Sequence, residues 1–144
     1  MKGSWEFVEH TADVGLLAHG RDAAEALANA GAALFDLMIG LSEVSEGCAR
    51  RIEVVGSDPA DLLVAWLSEL LYLFDVEGLV FRRFEVTLVE QDWRVVAVGR
   101  GERFDPSRHE LSLGVKAATY HEAALERVVD APEPRWRARV ILDV

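Results

Sequence analysis

Three short segments hold the residues whose types could do chemistry. They are His10-Thr11-Ala12-Asp13-Val14-Gly15 near the N-terminus, Gly114-Val115-Lys116-Ala117-Ala118-Thr119-Tyr120-His121 in the second half, and the closing Ile141-Leu142-Asp143-Val144. The first and last each set one carboxylate, Asp13 or Asp143, where the surrounding pattern asks for an apolar residue. Carboxylates are hard oxygen ligands, and the α-carboxylate of Val144 would add another oxygen group beside Asp143. Three carboxylates with no cysteine partner suit Ca2+, Mg2+ or Mn2+ better than zinc. Spacing alone supports an equally plain reading, in which each aspartate is a turn or strand-end residue facing water. If the final strand pairs near the first, both aspartates meet at one edge of a sheet.

Lys116 stands out by usage, because the chain has thirteen arginines and only two lysines, the other being Lys2. A lysine offers a compact, mobile ammonium that can contact a phosphate oxygen or take a shifted pKa, which a planar guanidinium does not replace. A solvent-facing strand lysine is the alternative. His10 and His121 are weaker candidates, each able to donate a hydrogen bond within a carboxylate cluster or simply to fix a loop. Thr11, Thr119 and Tyr120 read as backbone-orienting residues, and His19, His109 and Glu69 as structural. Cys48 is the single cysteine, so it has no partner for an internal disulfide or a zinc spacing.

These segments need elements to hold them. Phe7 and Val14–Gly20 read as two short strands or one interrupted strand, with residues 10–13 as the interruption. Asp22 followed by Glu25 has the form of a capping box, and Leu27, Ala30, Leu34, Leu37 and Met38 recur at helical spacing, so a first helix is expected over Ala23–Ile39. Arg51–Gly56 alternates like a strand. Asp58-Pro59 then opens a second helix to about Val76, apolar almost all round and hence expected at the centre of the core. Residues 84–98 read as a hairpin turning at Gln91-Asp92, and Arg100–Glu110 as a long loop with slack from Gly99 and Gly101. Val115–Tyr120, Ala123–Val129 and Trp136–Asp143 complete the chain as three further strands. Helices in the first half and strands in the second argue for a single α+β domain over residues 1–144, two helices packed on a mixed or mainly antiparallel sheet in two layers.

Composition sets the outer bounds. With 144 residues, 51% of them hydrophobic, the chain can bury one core. No window is long and apolar enough for a membrane span and no signal-peptide pattern opens the sequence, so a soluble, cytoplasmic protein is expected. Twenty-five acids against fifteen bases give a formal charge of −10, which repels a phosphate backbone on average and disfavours direct high-affinity nucleic-acid binding. The same field favours a partner with a basic surface.

The conjunction of His10–Gly15, the helical Leu70-Leu71-Tyr72-Leu73-Phe74-Asp75, Gly101-Glu102, Val115–His121 and a terminal Asp-Val, in that order, resembles the archease family over nearly the whole chain. One position departs from the family pattern: Glu122-Ala123-Ala124 follows His121 where a small residue and then a bulky apolar one are expected. The resemblance implies a small accessory protein, with no turnover of its own, for the GTP-dependent RNA-splicing ligase that joins 3′-phosphate or cyclic-phosphate ends to 5′-hydroxyl ends. It implies promotion of ligase guanylylation, and thus multiple turnover, in transfer-RNA splicing and RNA repair. It also implies a bound divalent metal, with Asp13 and Asp143 among its ligands, and a functional Lys116. Two readings from other classes stand beside it: a metal-dependent phosphohydrolase or nuclease, since aspartates and a lysine can bind metal and activate water, and a metal-independent chaperone or adaptor for an RNA-modifying enzyme.

Overall fold

A computed structural model of the chain describes residues 4–9, 12–133 and 135–144. Strand β1 (Trp5–Glu9) and β2 (Asp13–Gly20) lead into helix α1 (Ala23–Met38), then β3 (Cys48–Val55), helix α2 (Pro59–Glu77), β4 (Leu79–Val89), β5 (Arg94–Arg103), β6 (Ala117–Val128) and β7 (Arg135–Asp143). His10 and Thr11 lie outside the described residues.

Both helices begin where their caps require. The Asp22 side chain accepts from the Glu25 backbone N–H at 2.8 Å, and the Glu25 carboxylate accepts from the Arg21 N–H at 2.8 Å, closing a variant of the capping box one residue further out than expected. Asp58 caps α2 through the Asp61 N–H at 2.8 Å, with Pro59 in the first turn and Gly78 closing the helix in the left-handed region at φ 67°. Trp66 is fully buried and donates its indole N–H to the Leu27 carbonyl at 2.8 Å, which ties α2 to α1 at the centre of the core. Phe35, Phe81, Phe84 and Trp66 pack edge-on or tilted around that point.

The α+β class holds, and the strands divide between two antiparallel sheets: β1-β2-β7-β6 and β3-β5-β4. Each helix packs against both of them, α1 on β2 and β4, α2 on β6, β3 and β4. This explains why α1 buries residues on most of its circumference, and why the run from Leu62 to Leu73 in α2 is apolar on several sides. The exposed face of α2 is left to Ser68, Tyr72, Asp75 and Val76, with Glu69 half-buried at its margin.

Two sequence expectations need correction. Residues 100–103 belong to β5 and not to a loop, and the glycines there supply fit in place of slack. Phe81 covers Gly99, where an added Cβ would lie 2.7 Å from the ring, and Gly101 passes so close to β4 that a Cβ would meet the Val80 carbonyl at 1.9 Å. The connection is residues 104–116. Further on, the two strands expected over 115–120 and 123–129 are one strand, β6, whose pairing to β7 breaks between Thr119 and Ala124. The bulge reads as a strand end in sequence because its residues leave the ladder, and Glu122 within it sits at φ 56°.

No helix among the described residues is long and apolar enough to cross a membrane.

Candidate functional site at the end of the central strand

Strand β7 lies between β2 and β6, and its C-terminal end collects the sequence candidates. Asp13 on β2 is the direct cross-strand partner of Asp143 on β7, and Ala117 on β6 is the partner of Asp143 from the other side. The Lys116 N–H donates to the Asp143 carbonyl at 2.7 Å, and the Val144 N–H donates to the Ala12 carbonyl at 3.4 Å. Three segments are therefore stitched together by backbone hydrogen bonds alone. Because Val14, Leu16, Ala18, Ala138, Val140 and Leu142 are the buried apolar side chains of the two strands, strand alternation places Asp13 and Asp143 on the opposite face, away from the helices.

Like charges at directly opposed positions destabilise an antiparallel pair. Asp13 adds a second strain, since its Oδ1 is buried and has no hydrogen-bond partner among the described residues. A buried acceptor without a donor is costly. A cation between the two carboxylates would relieve both, and two hard oxygen donors fit Ca2+, Mg2+ or Mn2+ chemistry, with the remaining coordination from carbonyls and water. No group of three His, Cys, Asp or Glu side chains converges in the manner of a metal cage among the described residues. Any metal would rest on the aspartate pair.

Lys116 joins Asp143 by its backbone, and it lines an open groove of about 290 Å³ with Ala117, Ser68, Leu71, Tyr72, Asp75 and Val76. The lysine thus links the aspartate end of the sheet to the exposed face of α2. His121 is not gathered into the cluster: it stands on the exposed bulge of β6, where its Nε2 lies 3.1 Å from the Glu122 carboxylate. Thr119 does orient backbone, donating its hydroxyl to the Ile141 carbonyl at 2.9 Å. Tyr120 reaches α2 instead, its hydroxyl donating to Asp61 at 2.8 Å. That bond raises the Tyr120 pKa. It also contributes, after the Ser57 backbone N–H, to lowering the Asp61 pKa.

Sequence reasoning gave Glu102 no role beyond its place in a motif and read His109 as structural, without a partner. Glu102 accepts from Arg108, from the Ser45 N–H at 2.8 Å and from His109. Arg108 is the largest cause of a Glu102 pKa lowered to about 2. His109 is buried, its Nδ1 accepting the Asp105 N–H at 2.8 Å, which leaves Nε2, 3.0 Å from Glu102, as the donor to that carboxylate. This knot anchors residues 104–116, the segment that delivers Lys116. The available signal was the Glu102–Arg108–His109 spacing, which has no distinctive pattern of its own.

A two-sheet α+β domain that brings an N-terminal and a C-terminal aspartate face to face at the end of its central strand, with a lysine one backbone bond away, defines a recognisable class of small protein. The Archease protein family (MTH1598/TM1083) matches residues 5–144, and the chain belongs to the archease family. It is 41% identical to the archease of Pyrococcus furiosus over 142 residues, covering 97% of this chain and 98% of that one. It is 38% identical to that of Methanosarcina acetivorans over 143 residues, covering 97% and 95%. The solution structure of protein 1598 from Methanobacterium thermoautotrophicum superposes with a TM-score of 0.82 at 36% identity, covering 98% of this chain and 99% of that one.

Proposed function

We propose that this protein activates a GTP-dependent RNA-splicing ligase, promoting its guanylylation and so its multiple turnover in transfer-RNA splicing and RNA repair. Membership of the archease family supports the reading, and the observation that carries it is the opposed pair Asp13 and Asp143 beside Lys116. The pair is a poor arrangement for a strand end and a good one for a cation. When bound there, a divalent ion would supply a positive centre able to orient phosphate oxygens. Asp13 and Asp143 hold that charge in place, and Lys116 offers a second, mobile cation to a nucleotide phosphate or to the ligase. In this reading the protein positions groups for a transfer performed on the ligase and turns nothing over itself.

The test is transfer of guanylate from labelled GTP to the ligase, with and without this protein. Faster or renewed labelling of the ligase is expected, with no phosphate or cleaved RNA released by this protein alone. Unchanged labelling overturns the proposal, and RNA cleavage or phosphate release by the protein alone, lost in Asp13→Ala, moves it to the hydrolase class.

A further inference from the structure

The face of the four-stranded sheet that carries the two aspartates extends along β7, and its far end has the opposite character. Alternation puts Arg135, Arg137 and Arg139 on this face, since Ala138 and Val140 between and beyond them are fully buried toward the helices. Cross-strand neighbours on the same face are Val128, Glu126 and Ala124 from β6 and His19 and Leu17 from β2. Three buried polar atoms lack a hydrogen-bond partner among the described residues: Asp13 Oδ1, His19 Nδ1 and Arg137 Nε. All three belong to residues of this one face, and the last two belong to a directly opposed pair, His19 and Arg137.

The positive charge here is partly free. Arg137 is held by Glu126 at 2.9 Å, whereas Arg139 spends only its Nε, on the Glu122 carbonyl at 3.1 Å, and Arg135 makes no ion pair among the described residues. Glu6 is the other acid on the face near His19. The local field is nonetheless positive enough that, after burial, Arg135 is the next cause holding the His19 pKa below its usual value, with Arg137 adding to it against Glu6. On a chain of net charge −10 this is a local exception, and acids elsewhere on the surface are screened beyond roughly 8 Å at physiological salt.

We infer that Arg135, Arg137 and Arg139 form a weak binding track for the phosphodiester backbone of single-stranded RNA, running along β7 toward the aspartate pair. Alternate residues of a strand are set about 6.7 Å apart along the backbone, which is of the order of the phosphate repeat in an extended single strand. Guanidinium forks match phosphate oxygens, and Arg135 and Arg139 keep theirs clear of carboxylates among the described residues. A single polynucleotide strand is narrow enough to lie on this track alone, whereas a folded acidic protein would also have to cover the acidic surface around it. The inference goes beyond the activator reading and is measured without any ligase, so its failure and the failure of that reading are separate results.

The experiment is fluorescence anisotropy of a short labelled oligouridylate RNA with this protein alone, across salt concentrations. Two arginines free of carboxylates predict a slope of log K against log salt near −1.4, about a sevenfold loss of affinity between 50 and 200 mM salt. Arg135→Ser and Arg139→Ser should each flatten the slope by about 0.7, and the double variant should abolish binding while keeping the wild-type melting temperature. Arg51→Ser, on the other sheet, should bind as wild type does. Absence of binding at low salt, equal binding by the double variant, or equal weakening by Arg51→Ser overturns the inference. So does competition by polyglutamate of the same length as strong as that by RNA, which would make the track a protein-docking surface.

Discussion

Asp13 and Asp143, at opposite ends of the sequence, are directly opposed cross-strand partners on β2 and β7. The fold brings them together by making the last strand the neighbour of the second, so the site exists only when the sheet is complete. Stability and site geometry are therefore coupled at this point.

Removing one charge of the pair should stabilise the protein in chelator. Asp143→Asn is expected to raise the unfolding free energy by a few tenths of a kcal/mol, the scale of an opposed like-charge pair. Ca2+, Mg2+ or Mn2+ should stabilise wild type instead, by about 2.7 kcal/mol at a hundredfold excess over its Kd, and Asp143→Asn should lose that response. Thermal unfolding with each ion and with chelator checks both halves. A wild type indifferent to all three ions contradicts the metal assignment.

Glu102 makes a statement about acid. Its folded pKa, about 2, lies below the ordinary 4.5, so the stability it contributes is present above 4.5 and is lost as pH falls from there toward 2. Glu102→Gln should flatten the stability profile in that window. At neutral pH it should also destabilise by about 1–3 kcal/mol, because it strips buried His109 of its charged acceptor. Urea unfolding at pH 7 and at steps down to 3 reads both effects.

Much of the fold was legible because its signals are local. The caps at Asp22 and Asp58, the helical periodicities and the alternation of β7 each follow from a few neighbouring residues. The site was half legible: Asp13, Asp143 and Lys116 announced themselves as polar residues in apolar strands, and the structure joins them. His121 did not join, because the bulge after Thr119 turns it away, and a bulge is set by pairing with β7 that no local pattern encodes. The division into two sheets was hidden for the same reason, since each strand's partner is chosen by packing over both helices. His109 was legible as structural but its partner was not, because the contact with Glu102 comes from burial that a spacing does not reveal.

Gly101 is required by a neighbour. With an added Cβ placed 1.9 Å from the Val80 carbonyl, Gly101→Ala must push β4 and β5 apart. A loss of about 1–3 kcal/mol is expected, the range for overpacked sites. Gly114→Ala, where nothing lies within 4 Å of an added Cβ, should change stability far less. Paired denaturant curves test the contrast.

Glu122 occupies the left-handed region at φ 56°, where the family pattern expects a small residue. Glu122→Gly should be stabilising by up to about 1 kcal/mol, as the relieved strain of roughly 1–2 kcal/mol outweighs the added unfolded-state freedom. A destabilised variant would show that the His121–Glu122 contact matters more than the backbone.

The central claim is tested most directly by multiple-turnover RNA ligation, with excess RNA and GTP, by the cognate splicing ligase in the presence of wild type, Asp143→Ala or Lys116→Ala. The account predicts that wild type sustains repeated turnover while both variants, folded by circular dichroism, leave the ligase stalled. Full activation by Asp143→Ala, or no effect of wild type on a competent ligase, would contradict it.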